Sequence, residues 1–150
     1  MPHREAQRAE TIEDLRRALR EFLAAQRRLR GREAQRQNAI SFSQHAVLRV
    51  LADGAEHSAG ELATAANLTP ASITKMLDGL SRTGLLERVR DESDRRRVGV
   101  RITEAGRREF ARKDAQIHTA WEDNLAGADL EELEGMARAL RRIAGVYDGF

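Results

Sequence analysis

The sequence predicts a mostly α-helical protein with one small β-hairpin. Apolar residues recur at three- and four-residue steps along most of the chain, which is the period of an amphipathic helix. Aromatic residues make up only 4% of the sequence, too few for a β-sandwich or a β-barrel. Alternating apolar residues mark a short region, residues 85–103, as the hairpin. At 150 residues, the chain is long enough for one domain with a buried core.

The first helix is predicted over residues 10–30, with arginines between its apolar positions. Gly31 is placed to end it, and residues 31–40 are expected to form a connector. The apolar positions of this helix are Ile12, Leu15, Leu19, Phe22, Leu23 and Leu29.

Two capping boxes predict where the next two helices begin. Ser41 and Gln44 have the S-x-x-Q spacing in which a side chain and the backbone cap each other, and Gly54 is placed to end the helix that follows. Ser58 and Glu61 have the equivalent spacing at the start of a third helix of about eight or nine residues.

The fourth helix completes a helix-turn-helix pattern. Asn67 tolerates the left-handed conformation of a tight turn, Thr69 is a good N-cap, and Pro70 suits the first helical position. Gly84 is placed to end the helix. The buried face is predicted to be Ile73, Met76, Leu77 and Leu80, and the outward face Ala71, Ser72, Thr74, Lys75 and Asp78. Two short helices with small polar residues outward on the second are typical of this motif.

A hairpin directly after a helix-turn-helix is a wing. Strands are predicted on either side of "DESDRR", with Val98, Val100 and Ile102 alternating in the second. Thr103 is expected to cap a helix over about 103–125, and a last helix is predicted over about 128–147. The first, fifth and sixth helices carry more apolar surface than the small middle lobe can cover. We therefore expect them to pack together and against a second copy of the chain.

Charge is unevenly distributed, although the net charge is only +2. Residues 1–36 hold ten arginines and six acidic residues, and residues 82–101 hold seven arginines and four acidic residues. Residues 37–81 are net acidic, with two basic and four acidic residues. Positive charge at two separate places favours a polyanionic partner.

Several classes of protein are disfavoured. The chain has no cysteine, which excludes disulfides and thiolate metal sites. The sequence offers no membrane-spanning run and no signal peptide at its start, so a cytoplasmic location without membrane contact is expected. The sequence contains no nucleophile–base pair, glycine-rich phosphate loop or metal-ligand spacing among His3, His57 and His118. We therefore expect neither an enzyme, nor a metal, nor a cofactor.

Three segments together resemble the MarR family of bacterial transcription regulators. They are "FSQHAVLRVL" (residues 42–51), "GELATAANLTPASITKMLDGLSRTGL" (residues 60–85) and "GLLERVRDESDRRRVGVRITEAGR" (residues 84–107). The resemblance covers nearly the whole chain. It implies a winged helix-turn-helix DNA-binding lobe at 41–103 and a helical dimerisation region formed by 1–36 and 104–150.

The resemblance also implies a function: a homodimer that binds a pseudo-palindromic operator in double-stranded DNA and acts as a repressor released by a small aromatic or phenolic effector. The family's D-x-R wing motif falls on Asp94, Arg95 and Arg96. Arg96 is then expected in the minor groove, Arg95 and Arg97 near phosphates or the groove, and Asp94 in support of the loop.

Further candidate DNA contacts lie in the helix-turn-helix. Ser72, Thr74 and Lys75 are expected to face the major groove from the recognition helix, although each could equally be plain helix surface. Ser58 and Thr69 stand at helix N-termini, where backbone N–H groups suit phosphate binding.

A candidate effector site is less strongly indicated. His45 and Arg49 lie four residues apart, on one helix face, and could hold a carboxylate or phenolate. Phe22, Phe42 and Trp121 could supply apolar walls. The alternative is that His45 is a packed residue and Arg49 a surface ion-pair partner. An alternative function also remains, a winged-helix module that binds protein rather than DNA.

Overall fold

The computed structural model describes residues 2–35, 39–90 and 98–149. It has six helices and three short strands in these ranges, and the predicted fold class, mostly α-helical with a winged helix-turn-helix, is confirmed. The elements are α1 (Pro2–Ala34), α2 (Phe42–Leu51), β1 (His57–Ser58), α3 (Ala59–Ala65), α4 (Pro70–Arg82), β2 (Leu86–Arg90), β3 (Val98–Ile102), α5 (Glu104–Leu125) and α6 (Leu130–Tyr147).

The sequence predicted that the first helix ends at Gly31, and this prediction is wrong. α1 continues to Ala34, and the space around Gly31 is open. A glycine inside a helix costs only about 1 kcal/mol relative to alanine, which the good helix formers around it can offset. The expected connector over residues 31–40 is therefore shorter, and residues 36–38 of it lie outside the described ranges.

The strands form one antiparallel sheet in the order β1–β3–β2. β2 and β3 make the expected hairpin, with Arg88 opposite Val100. β1 was not predicted, because a two-residue strand is defined only by its pairing with distant β3, where His57 lies opposite Val100. The expected alternation in β3 is incomplete, since Val98 is exposed and Gly99 is buried beneath the side chain of Glu56.

The buried core lies in the middle of the chain. Two compact units are recognisable, residues 1–111 and residues 112–150, with their boundary inside α5. The buried apolar residues all fall in the first unit: Ile40, Val47, Leu48, Leu51, Leu62, Ala63, Ile73, Leu77, Leu80, Leu86, Val100 and Ile102. This core fixes α2, α3, α4 and the sheet as one lobe.

The terminal helices have a different character. α1 exposes Ile12, Leu15 and Phe22, the last by about half of its surface. In α6, which is described over its whole length, no side chain is buried, and Leu140 and Tyr147 are exposed. Helix α6 begins at a capping box between Asp129 and Glu132, a D-x-x-E spacing that is visible in the sequence but was not used to set the start of the helix.

Among the residues that the structure describes, none of the helices combines the length and the apolar character that a bilayer span requires.

Candidate nucleic-acid interface

Helices α3 and α4 are held in a helix-turn-helix by reciprocal caps. The backbone N–H of Glu61 donates to the Ser58 hydroxyl at 3.2 Å, and the Ser58 N–H donates to the Glu61 carboxylate at 2.7 Å. Asn67 takes the left-handed conformation at the turn, with a φ of 53°. These predicted features are confirmed. Each of these features depends on residues that are close together in the sequence, so the sequence alone is enough to predict it.

The start of α4 presents an ordered row of hydroxyl groups. Thr69 accepts from the N–H of Ser72 at 3.2 Å and donates its own proton to the Ser72 oxygen at 2.8 Å. Thr74 donates to the carbonyl of Pro70 at 2.9 Å. These bonds fix the hydroxyls while the proton of Ser72 and the lone pairs of Thr74 remain able to bond a base edge or a phosphate.

The outward face of α4 is exposed as predicted, namely at Ala71, Ser72, Thr74, Lys75 and Asp78. Lys75 forms no ion pair with any residue of the described ranges, so its ammonium group is available to an anion. An open groove of about 480 Å³ lies between α3 and α4, lined on the α4 side by Pro70, Ile73 and Thr74. The first two turns of α4 are therefore sterically accessible.

An ion pair joins the recognition helix to the wing. Arg88 of β2 donates a hydrogen bond to the Asp78 carboxylate on the outward face of α4. The pair neutralises the one acidic side chain of α4 and fixes the direction of the first wing strand. Sequence reasoning did not find it, because the partners lie ten residues apart and no local spacing relates a helix position to a strand position.

A second arginine of the wing is also held by acidic residues. Arg101 of β3 lies 3.8 Å from Glu56 and 4.0 Å from Glu87. These ion pairs are exposed and contribute little to stability. They hold the Arg101 guanidinium beside Glu56 and Glu87. Two of the arginines that flank the wing tip are thus already paired within the chain.

The corner between α4 and β2 is locked by the start of α5. Gly84 has a φ of 74°, and its carbonyl accepts a 2.7 Å hydrogen bond from the Thr103 hydroxyl. The N–H of Thr103 donates to the Leu85 carbonyl at 3.1 Å, and the same Thr103 hydroxyl caps α5 by accepting from Gly106 at 3.0 Å. Thr103 therefore caps α5, as predicted, and also ties that helix to the end of α4.

A second contact from α5 holds the end of α2. Arg107 donates to the Ala52 carbonyl at 3.3 Å. In the turn that follows, Asp53 accepts from the Ala55 N–H at 2.8 Å and lies 2.9 Å from the His57 ring. The Ala55 bond, and after it the His57 bond, hold the pKa of the Asp53 carboxyl below its ordinary value, because both favour the charged form. The turn that leads into β1 is thereby ordered.

The four candidate residues at the tip of the wing, Asp94, Arg95, Arg96 and Arg97, lie outside the described residues. Their expected roles stay predictions. The structure does define the two strands that lead to and from them, paired from Leu86 opposite Ile102 to Arg90 opposite Val98.

The candidate effector residues are divided between the two units. The His45 ring is buried and stacks on Phe110, with ring centroids 5.0 Å apart, as the packing alternative expected. Arg49, Phe42 and Phe22 are exposed in the first unit, and Trp121 is exposed in the second. Phe110 lies in the second turn of α5, and its contact with His45 joins distant segments of the chain, so no local sequence pattern indicates it. In the described ranges, no cluster of three or more histidine or acidic side chains is arranged to hold a metal ion.

Known proteins with similar sequences were found by comparison. The sequence model of the MarR family matches residues 40–98. The HTH-type transcriptional repressor YetL of Bacillus subtilis is 36% identical over 70 residues, a segment that covers 45% of this chain and 42% of YetL. The chain thus matches less than half the length of this curated relative.

Two solved structures extend the comparison beyond that segment. A MarR family protein from Bacillus stearothermophilus is 28% identical, with a TM-score of 0.66, and the match covers 93% of this chain and 96% of that one. The PcaV transcriptional regulator from Streptomyces coelicolor, in complex with its natural ligand, is 25% identical with a TM-score of 0.68, over 83% of this chain and 89% of that one. With its capped helix-turn-helix and paired wing strands, the segment 40–98 matches the MarR family of winged-helix proteins, and the fold of the whole chain is similar to a solved structure of that family.

Proposed function

We propose that the protein is a sequence-specific DNA-binding transcription regulator located in the cytoplasm. The observation that carries this proposal is the outward face of α4, where Ser72, Thr74 and Lys75 are exposed on a helix locked between α3 and the wing. An α-helix with short polar side chains on its exposed first turns fits the major groove. The similarity to the repressor YetL supports the same function and favours repression.

In this proposal, contacts with DNA fall into three kinds. Ser72, Thr74 and Lys75 read base edges, whereas the N-termini of α3 and α4, capped by Ser58 and Thr69, approach phosphates. Arg96 of the wing supplies the minor-groove contact that the family resemblance implies, with Arg95 and Arg97 near phosphates or the groove and Asp94 in support of the loop. Because Arg88 and Arg101 are paired with acidic residues of the chain, the contact with DNA at that edge is assigned to the other arginines of the wing, Arg95, Arg96 and Arg97.

Selection of duplexes from a random pool tests the proposal. We expect the full chain to enrich a two-fold related sequence and to bind it at least about 10³-fold more tightly than a random duplex. Fluorescence anisotropy at fixed salt measures the two affinities. The alternative, a winged-helix module that binds protein, gains if no duplex is enriched and the chain shows no affinity for DNA.

The second part of the proposal is a homodimer built by α1, α5 and α6. Ile12, Leu15 and Phe22 on α1 and Leu140 and Tyr147 on α6 are exposed in the single chain. Burial of such side chains contributes about 1.5–3 kcal/mol each, which favours an interface over solvent. A two-fold dimer would present two copies of α4 about one helical turn of DNA apart.

Sedimentation tests the dimer directly. We expect a single species of twice the chain mass at micromolar concentration. We also expect that a charged residue in place of Leu140, which lies on the exposed face of α6, weakens association without unfolding the lobe. A wild-type monomer at that concentration contradicts this part of the proposal.

A small aromatic or phenolic acid is proposed as the effector, in line with the ligand complex of the related PcaV. The exposed Arg49 offers a cation for a carboxylate, and the exposed Phe42 offers an apolar wall. His45 is a packing residue in this proposal, since its ring is already stacked on Phe110. Repeating the DNA titration in the presence of simple aromatic acids reveals an effector as a loss of operator affinity.

A further inference from the structure

A group of four arginines occupies the last third of α1: Arg27, Arg28, Arg30 and Arg32, called here the α1 arginine cluster. All four side chains are exposed, and none pairs with another residue of the described ranges. Several other helical arginines meet an acid three or four residues away, as Arg16 meets Glu13 at 2.6 Å and Arg138 meets Glu134 at 3.6 Å. The cluster is therefore a concentration of positive charge without local compensation.

Two ordinary reasons for such arginines account for only part of the cluster. Basic residues near a helix C-terminus favour the helix dipole, but the effect is limited to the last turn, which contains Arg32 alone. Ion pairing within the helix is also excluded for Arg27 and Arg28, because no acidic residue lies within four positions of either. Neither helix stability nor local pairing explains four arginines in six residues.

The cluster is fixed to the DNA-binding lobe. The side chain of Glu33, one residue after Arg32, accepts a 2.9 Å hydrogen bond from the N–H of Phe42, the first residue of α2. α2 in turn contributes Leu48 and Leu51 to the core of the lobe. The end of α1 is therefore anchored where the lobe begins.

We propose that the α1 arginine cluster binds DNA phosphates outside the contacts made by α4 and the wing. The proposal rests on the proposed DNA-binding function. Outside the wing tip, the lobe has little uncompensated positive charge, since residues 37–81 are net acidic and Arg88 and Arg101 are paired with acidic side chains. From Arg27 to Arg32, α1 rises by about 7.5 Å, the length of about two successive phosphates on one strand. Arg28 and Arg32, four residues apart on one face of α1, thus offer two cations over a length comparable to the phosphate spacing.

The test compares two variants of the full chain with equal charge changes. The cluster variant carries Arg27→Gln, Arg28→Gln and Arg32→Gln, and leaves Arg30, which is nearest the apolar stripe of α1. The control variant carries Arg16→Gln, Arg17→Gln and Arg20→Gln on the same helix. Glutamine is a good helix former, so circular dichroism should show both variants folded. Arg28→Glu alone serves as a second variant if the cluster variant unfolds.

The readout is the dependence of binding on salt. Anisotropy titrations of a fluorescein-labelled random duplex several helical turns long are made between about 50 and 200 mM salt. We expect the log–log slope of the cluster variant to be shallower than that of wild type by about 2 per bound protomer. The control variant should keep the wild-type slope. Equal slopes for the cluster variant and the control overturn the proposal about the cluster. In that case, binding of the wild-type protein to the duplex shows that the proposed DNA-binding function still holds.

Two further outcomes separate this proposal from others. If wild type binds no duplex at all, the proposed DNA-binding function fails, and the role of the cluster in DNA binding fails with it. The same proteins are also mixed with vesicles that contain phosphatidylglycerol. Vesicle binding that the cluster variant alone loses, with an unchanged salt slope on DNA, would assign the cluster to a membrane surface and contradict the proposal.

Discussion

Replacing Gly106 with alanine is expected to destabilise the lobe by about 2 kcal/mol, within the usual range for overpacking a core. Gly106 is buried in the first turn of α5, and an added Cβ would overlap the backbone oxygen of Leu85 and lie 2.8 Å from Cγ1 of Ile102. Backbone cannot rotate away as a side chain can, so either α5 or the corner at Leu85 must shift. Urea unfolding followed by circular dichroism, at one protein concentration, measures the change.

Gly31→Ala is the matched control for Gly106→Ala. It makes the same substitution within a helix, but nothing lies within 4 Å of the added Cβ. We expect it to be neutral or to stabilise the protein by about 0.5–1 kcal/mol, because alanine loses less backbone entropy than glycine. Equal urea midpoints for the two variants would show that the contact at Leu85 relaxes without cost.

Replacing Arg96 with alanine is expected to weaken operator binding by about 1–3 kcal/mol for each wing that loses its contact. A narrow minor groove concentrates negative potential and favours an inserted guanidinium, so the loss should be greatest on operators with A·T-rich flanks. Arg95→Ala should instead reduce the salt slope and affect specific and random DNA alike, as expected for a phosphate contact. Asp94→Ala should weaken binding indirectly, by loosening the loop that directs Arg96.

Anisotropy titrations on the selected operator and on a random duplex, at two salt concentrations, distinguish these variants. Arg138→Ala is the control, because Arg138 is exposed on α6 and paired with Glu134. The fold should survive every substitution, which circular dichroism of each variant checks. Wild-type operator affinity in a folded Arg96→Ala protein would exclude a DNA contact by Arg96 and favour the protein-binding alternative.

The parts of the fold that sequence reasoning predicted correctly depend on neighbouring residues. The capping boxes at Ser41 and Ser58 and the left-handed turn at Asn67 are confirmed, because each is decided within about four residues. Gly31 was misread for the same reason: a local rule for helix ends was applied where the flanking residues sustain the helix. Local preferences are weak, and their surroundings can override them.

Features that the sequence did not predict arise from contacts between distant segments. Strand β1 exists only through its pairing with β3, and the ion pair of Asp78 with Arg88 joins a helix to a strand. The stacking of His45 on Phe110 likewise joins α2 to α5. At the candidate interface, helical periodicity is enough to predict the exposed face of α4. The ion pairs of the wing arginines could not be predicted, because the number of arginines does not show which of them are neutralised by acidic residues.

The contacts of α5 with the lobe have a mechanical consequence. Thr103 bonds to Gly84 and Leu85 at one end of the recognition helix, and Arg107 bonds to Ala52 at the end of α2. These attachments leave the first two turns of α5 little freedom to pivot on their own. A rotation of this stretch must carry α4, β2 and the end of α2 with it, so these elements and the start of α5 are expected to move as one rigid body.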